Sequence, residues 1–198
     1  MAIIIVAIAV QVLYGTGRTA ELPIYWKAPE FALVDQSGDT IRAADLRGTP
    51  WVASFVFTNC TSVCPLITQK MAMLRDSLEV EGLLGSEVRL VSFSVDPARD
   101  TPVVLREYAE KFGGSPPEDW AFLTGTPPEA VRNMIQKGFK LTAVAPPAEH
   151  AHAGENYQVI HSPRIVLVDA EGRVRGLYDS TEPGAMERLG RGIRALLE

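Results

Sequence analysis

The sequence has 198 residues, of which 46% are hydrophobic and 22% are charged, and its formal net charge is −5. A chain of this length and composition can bury a full hydrophobic core as one domain. The negative net charge and the lack of any basic block argue against nucleic-acid binding.

An apolar segment covers residues 1–14, in which Gln11 is the one polar side chain. The segment is shorter than the roughly 20 residues of a membrane-spanning helix and suits the core of a signal peptide. We therefore predict a signal or membrane anchor at residues 1–14 and a linker at residues 15–28, with an extra core strand as the alternative. Export would place the chain in an oxidising compartment.

The first half of the chain alternates strand and helix patterns. Residues 31–41 predict a β-hairpin with its turn at 35–39, and the unbroken apolar run at 51–58 predicts a central strand. A helix is predicted from Pro65, with four residues at helical spacing on its buried face: Ile67, Met71, Leu74 and Leu78.

The same alternation continues beyond residue 88. A buried strand at 88–95 is followed by a helix from Pro102 that stops at Gly113, and then by a short strand at 120–123. Thr126 and Glu129 flank two prolines, and this pattern predicts a capping box at the start of the next helix.

The C-terminal third begins with a polar stretch at 143–156 that predicts a surface loop. Strands are predicted at 157–160, 164–169 and 174–178, followed by a closing helix at 183–197. Strands that alternate with helices before a late hairpin indicate an α/β sandwich, which we assign as one domain over residues 29–198.

The two cysteines of the sequence, Cys60 and Cys64, stand where the central strand gives way to a helix. If the helix begins early, their spacing of four places both sulfurs on one face, and the helix N-terminus lowers a thiol pKa. Such a pair can cycle between dithiol and disulfide or bind a soft metal. Two buried core cysteines are disfavoured by the polar neighbours Asn59, Thr61 and Ser62. A thioredoxin-type motif has two intervening residues instead of three, and a structural zinc site needs further ligands.

A soft-metal site with two thiolates needs a third ligand, and three histidines are available. His150 and His152 lie in the polar stretch, where a solvated loop is the simpler interpretation. His161 lies between two predicted strands, and on its own could be a ligand or a hydrogen-bonded structural histidine. The cysteine pair favours the ligand, and two thiolates with one imidazole suit copper.

Three separated segments resemble the Sco/SenC family of copper proteins. Phe55-Val-Phe-Thr-Asn-Cys-Thr-Ser-Val-Cys-Pro65 is similar to the family signature F-x-F-T-x-C-x-x-x-C-P. Val95-Asp-Pro-Ala-Arg-Asp-Thr-Pro102 and Val159-Ile-His-Ser162 are similar to its aspartate and histidine segments. The resemblance runs in order from about residue 29 to the C-terminus.

The resemblance implies a thioredoxin-like fold, with a central mixed β-sheet between helices, anchored to the cell membrane on its periplasmic or extracytoplasmic side. It implies that Cys60, Cys64 and His161 bind copper, as Cu(I) or Cu(II). It also implies a role in building the copper centre of cytochrome c oxidase subunit II, with another copper donor protein as a possible further partner. Asp96 matches the family's aspartate near the metal; capping of the turn after its strand is the alternative.

Two functions therefore remain open, and both use Cys60 and Cys64. A metallochaperone would carry one copper ion and would need His161 as a ligand. A thiol-disulfide oxidoreductase would reduce the target cysteines before metal insertion, with the two cysteines as its redox pair. We also predict a cis peptide bond at Ser162-Pro163, and core packing in preference to copper binding for Met71.

Overall fold

The computed structural model describes residues 21–141, 143–144, 160–161 and 163–198, and for 143–144 and 160–161 it describes the backbone alone. The short strand β1 (Trp26–Lys27) comes first, followed by the hairpin of β2 (Ala32–Val34) and β3 (Thr40–Arg42). The Asp35 carboxylate accepts the backbone N–H groups of residues 37 and 39, at 2.8 and 3.0 Å, and so closes the turn. The predicted N-terminal hairpin is confirmed.

A six-stranded mixed sheet forms the centre of the fold. It contains β1 and five longer strands: β4 (Trp51–Val56), β5 (Arg89–Ser94), β6 (Trp120–Leu123), β9 (Arg164–Val168) and β10 (Arg173–Asp179). Their order is β1-β10-β9-β4-β5-β6. β4 runs parallel to β5, and β5 to β6, whereas β9 is antiparallel to β4 and β10 is antiparallel to both β9 and β1. The apolar run predicted as a central strand is therefore β4, whose residues are all buried.

In the described part of the chain, four α-helices cover the sheet: α1 (Val63–Val80), α2 (Pro102–Glu110), α3 (Pro128–Gly138) and α4 (Ala185–Leu197). Side chains alternate across a strand, so Ser54 and Phe55 point to opposite faces. The face of Ser54 carries α1, because the Ser54 and Trp120 side chains both bond Ser92 and Arg75 of α1 lies over the Trp120 ring. The same face carries α2, because Tyr108 of α2 packs against Phe122, the strand partner of Ser92. The opposite face carries an aromatic cluster, to which the hairpin region and the end of α3 contribute: Phe31, Trp51, Phe55, Phe93 and Phe139.

Two helix starts differ from the prediction. α1 begins at Val63, two residues before Pro65. The predicted capping box at Thr126 is wrong: the residue before α3 is Pro127, in an extended conformation, and no side chain caps this helix. A residue that precedes a proline avoids the helical conformation, so Pro128 keeps Pro127 extended. The helix therefore begins at Pro128, one residue too late for Thr126 to cap it. The peptide bond between Thr126 and Pro127 is cis.

Two segments predicted as irregular contain strands. Trp26–Lys27, within the predicted linker, pairs with β10 at the edge of the main sheet. Within the predicted loop, β7 (Ala143–Val144) pairs with β8 (Ile160–His161) in a separate two-stranded sheet. The predicted anchor at 1–14, His150, His152 and the Ser162-Pro163 bond lie outside the described residues.

Candidate metal and thiol site

The two cysteines occupy one tight turn at the carboxyl end of β4. Because α1 begins at Val63, Cys64 lies in its first turn, where backbone N–H groups have no partner within the helix. The Cys64 N–H donates to Cys60 Sγ at 3.4 Å, and the Ser62 hydroxyl lies 3.6 Å from the same sulfur. No disulfide joins the two sulfurs, so the structure represents the reduced pair.

The two thiols differ in environment. Burial acts to raise the pKa of Cys60, but hydrogen bonds from the backbone of Cys64 and from Ser62 outweigh it, and the net pKa is lowered. Cys64 is 0% exposed, and its burial, followed by the charges of Cys60 and Asp100, raises its pKa. Cys60 is therefore the better nucleophile at neutral pH, and Cys64 is the protected thiol.

Asp100 is the buried carboxylate that ties the cysteine loop to the next strand. Its Oδ1 accepts the Thr58 hydroxyl at 2.6 Å and the Thr58 backbone N–H at 3.3 Å, while its Oδ2 accepts the Ser94 hydroxyl at 2.5 Å. Burial raises the pKa of Asp100, although these hydrogen bonds oppose the shift. Because β4 and β5 are parallel, their carboxyl ends meet at one sheet edge, and Asp100 joins the two loops there.

No pattern in the sequence distinguishes Asp100 as a site residue. It stands in the segment 95–102, directly before the Thr101-Pro102 pair that starts α2. Its place in this segment is the signal that the sequence offers for a role at the site. The contact itself could not be read from the sequence, because the partner of the carboxylate, Thr58, is 42 residues away in the chain.

Asp96, the predicted outer partner of the metal, lies in the turn after β5. Its carbonyl oxygen accepts the N–H groups of Arg99 and Asp100, and its carboxylate accepts the Arg99 guanidinium at 3.1 Å. The backbone carbonyl of Asp96 therefore closes this turn and its carboxylate pairs with Arg99, while the role of Asp96 near a metal stays a prediction.

A buried hydrogen-bond chain anchors the first turn of α1 to α2. The Thr68 hydroxyl donates to the Cys64 carbonyl at 2.9 Å, and the Tyr108 hydroxyl lies 2.8 Å from the same Thr68 oxygen. Burial raises the pKa of Tyr108, so its phenol is protonated at neutral pH. The backbone that carries Cys64 is thus held from both its own helix and the neighbouring one.

The backbone of His161 lies at the same sheet edge as the cysteines. Ala53 of β4 pairs with Val166 of β9 in antiparallel register, so the start of β9 lies beside the end of β4. His161 precedes the start of β9 by three residues and pairs with Ala143 across the β7–β8 ladder. The structure therefore brings the backbone of His161 to the edge where Cys60 and Cys64 lie; it does not describe the imidazole.

The described side chains alone do not complete a metal site. Among them, no three His, Cys, Asp or Glu groups gather in a way that could hold a metal ion, and the His161 side chain is not among them. Met71 is fully buried in the core and Met73 is 66% exposed, so the prediction of core packing for Met71 is confirmed. No helix in the described part of the chain combines the length and apolar composition needed to cross a membrane.

The fold and the dithiol define a class of protein: a thioredoxin-like α/β domain with two cysteines at the start of the first helix. The sequence model of the family SCO1/SenC matches residues 25–198. The SCO1 protein homolog of Bacillus subtilis is 32% identical over 166 residues, which cover 84% of this chain and 80% of that protein. The chain therefore belongs to the SCO1/SenC family.

Solved structures agree with this assignment. The SCO1/SenC family lipoprotein from Bacillus anthracis is 34% identical, with a TM-score of 0.76 over 87% of this chain and 96% of that one. BsSco, described as containing a disulfide switch and as a member of the Sco family of cytochrome c oxidase assembly proteins, is 30% identical, with a TM-score of 0.75 over 90% and 98%. Yeast Sco1 with copper bound is 26% identical, with a TM-score of 0.69 over 86% and 90%.

Proposed function

We propose that this protein is a copper metallochaperone that binds one copper ion through the sulfurs of Cys60 and Cys64 and the imidazole of His161. The observation that carries the proposal is the turn in which the Cys64 N–H contacts Cys60 Sγ at 3.4 Å, at the sheet edge that also receives the His161 backbone. Two thiolates and one imidazole form a soft donor set that suits copper. The copper-bound structure of the related yeast Sco1 supports the choice of metal.

Copper as cargo would bind to the thiolate forms, so binding releases protons. The lowered pKa of Cys60 makes its sulfur the first contact, and the raised pKa of Cys64 means that its proton leaves when the metal arrives. Copper affinity should therefore rise with pH in the neutral range. A disulfide between the two sulfurs would have no thiolate to offer, so oxidation would release the cargo.

The proposed target is the copper centre of cytochrome c oxidase subunit II, with a second copper protein as the donor. The description of BsSco as one of the cytochrome c oxidase assembly proteins supports this target. We further propose that residues 1–14 direct or anchor the domain to the extracytoplasmic side of the cell membrane, as a lipoprotein relative suggests. Deletion of residues 1–14 should move the protein from the membrane fraction to the soluble fraction; an unchanged distribution would contradict the anchor.

The test is a titration of the reduced protein with Cu(II), monitored by electronic absorption and EPR. The wild type should bind one equivalent of copper with a thiolate-to-copper charge-transfer band. His161→Ala should lose tight binding, whereas the matched control His152→Ala should bind as the wild type does. If His161→Ala kept wild-type affinity, the proposed ligand set would be wrong.

A second function, thiol-disulfide oxidoreductase, is favoured by the different environments of the two thiols. The Cys60 thiolate would attack a target disulfide, forming a mixed disulfide and releasing one target thiolate. Cys64, once deprotonated, would attack the Cys60 sulfur, releasing the second target thiolate and leaving the Cys60–Cys64 disulfide. The buried position and raised pKa of Cys64 suit this resolving role.

Dithiol exchange and copper binding, measured on the same variants, distinguish the two functions. His161→Ala should spare dithiol exchange with a model disulfide, because no step of that reaction uses the imidazole. Cys64→Ser should abolish both functions, since each needs two sulfurs. A reduced wild type that exchanges thiols but shows no charge-transfer band with copper would favour the oxidoreductase over the metallochaperone.

A further inference from the structure

Trp26 joins the N-terminal edge of the sheet to the end of α3. Its backbone pairs with Val174 of β10, while its indole Nε1–H donates to the carbonyl of Gly138, the last residue of α3, at 2.9 Å. The two positions are 112 residues apart in sequence. The indole therefore links two elements that are far apart in the sequence. We call this contact the Trp26–Gly138 clamp.

Two further contacts act at the same place. The Lys140 ammonium lies 4.2 Å from the centre of the Trp26 ring, within the range of a cation–π interaction. Lys140 has φ of 54°, the one positive φ of a non-glycine residue in the described chain, so it takes the left-handed conformation just after α3. The Pro29 ring fills the space that a Cβ at Gly138 would occupy, so glycine is what allows this close approach.

The clamp lies just before β7 in the chain, and β7 is the strand that pairs with the strand of His161. After Gly138, Phe139 is fully buried among the rings of Trp51, Phe55 and Phe93, and β7 begins at Ala143, three residues beyond Lys140. Ala143 pairs with His161. The position of the His161 backbone thus depends on where the end of α3 is held.

We propose that Trp26 is a positioning residue for the metal site: through Gly138 and Lys140 it fixes the β7–β8 ladder and so sets His161 against the cysteine pair. This inference rests on the proposed role of His161 as a ligand. The cysteines lie on the β4–α1 turn, whereas the histidine lies on a short two-stranded ladder outside the main sheet. A ladder of two residue pairs needs support from outside itself, because an isolated hairpin is at best marginally stable in water.

The test perturbs the clamp from both sides. Trp26→Phe keeps the ring over Lys140 but removes the N–H donor, and Gly138→Ala forces Pro29 away without touching the indole. Gly190→Ala is the matched glycine control, because its new Cβ would meet only the end of the flexible Arg194 side chain, at 3.2 Å.

Arg175→Gln is the control for the N-terminal segment. Arg175 donates to the carbonyls of Leu22 and Pro23 at 2.6 and 3.1 Å, so it holds the same segment as Trp26 through bonds that do not involve α3. Arg175 also pairs with Asp169 at 2.9 Å, so the amides of β5 report the loss of global stability that this variant causes. A variant that loosens this segment without changing the ladder separates a general loss of order from an effect of the clamp.

The first readout needs no metal: amide hydrogen exchange of Ile160 and His161 in the reduced protein, with the amides of β5 as reporters of global unfolding. Trp26→Phe and Gly138→Ala should accelerate exchange in the ladder by roughly threefold to tenfold, the effect of losing one hydrogen bond, and leave β5 unchanged. Gly190→Ala and Arg175→Gln should leave the ladder at its wild-type rate.

The second readout is Cu(II) affinity with the nitrogen hyperfine coupling in EPR. The two clamp variants should bind copper roughly threefold to tenfold more weakly and with altered nitrogen coupling, while alkylation of Cys60 keeps its wild-type rate. Wild-type exchange in the ladder of both clamp variants would overturn the proposal, as would equal acceleration in the two controls. A wild type that binds no copper would refute the proposed function, and the exchange data would still decide whether Trp26 holds the ladder.

Discussion

The hydrogen bonds that link Tyr108, Thr68 and Cys64 have definite directions, and these directions predict how substitutions at Thr68 and Tyr108 affect stability. Thr68 has one hydroxyl hydrogen, which it donates to the Cys64 carbonyl at 2.9 Å, so at 2.8 Å its oxygen must accept from Tyr108. Thr68 is 1% exposed and Tyr108 is 4% exposed, so water cannot replace either partner without opening the core. Thr68→Val and Tyr108→Phe should therefore differ in cost.

Thr68→Val leaves the Tyr108 O–H buried without an acceptor, and a buried unsatisfied donor costs about 1–3 kcal/mol. Tyr108→Phe removes one donor but keeps the bond from Thr68 to the Cys64 carbonyl, so its cost should be about 0.5–1.5 kcal/mol. In the double variant no hydroxyl is left unpaired. Its cost should fall below the sum of the single costs by about 1 kcal/mol.

The assay is urea unfolding of the reduced protein, in which a shift of the midpoint at constant m-value measures the change in the free energy of unfolding. Alkylation of Cys64 under native conditions provides a local readout, and Thr68→Val should increase it more than Tyr108→Phe does. Equal costs for the two single variants, or additive costs in the double variant, would refute the assigned bond directions.

Three further predictions concern charged groups. Cys60 should be alkylated before Cys64, and with a midpoint below pH 9.0, because hydrogen bonds outweigh burial and lower its pKa; equal rates for both thiols would contradict this. Asp100→Ala leaves the buried Ser94 hydroxyl and the half-buried Thr58 hydroxyl without their acceptor and should destabilise the fold by about 2–4 kcal/mol in urea; a loss below about 1 kcal/mol would argue against the network. Asp169→Asn removes the negative charge 2.9 Å from the buried Arg175 and should cost about 3 kcal/mol at pH 7. Burial opposes the shift, but hydrogen bonds from a backbone amide and two guanidinium groups lower the pKa of Asp169, so its contribution is present above pH 3.8 and is lost as pH falls through the lower folded value. A difference between wild type and Asp169→Asn that does not shrink in acid would contradict this assignment.

The periodicity of apolar residues predicted most of the sheet and the helices correctly, because a buried strand or an amphipathic helix produces its pattern within a short run of the sequence. The continuous apolar run of β4 and the spacing of Ile67, Met71 and Leu78 on α1 are such patterns, and all of these residues are buried. The shortest strands were not predicted, for the opposite reason. The two-residue strand β1 and the β7–β8 ladder have too few residues for any period, and only pairing with a distant strand defines them.

The chemistry proposed for the candidate site follows from residue types and their spacing in the chain. Two cysteines four residues apart between a strand and a helix, and one histidine between two strands, carried the soft-ligand interpretation and the family resemblance. Residue types and short spacings are local properties, so a sequence can state them completely.

The surroundings of those residues depend on the folded arrangement of distant elements. It buried Cys64 and left Cys60 partly exposed, which gives the two thiols opposite pKa shifts. It placed Asp100 against Thr58 and Trp26 against Gly138, contacts across 42 and 112 residues. The physical reason is that burial and long-range hydrogen bonds exist only once the parallel strands align their ends and the helices cover the sheet.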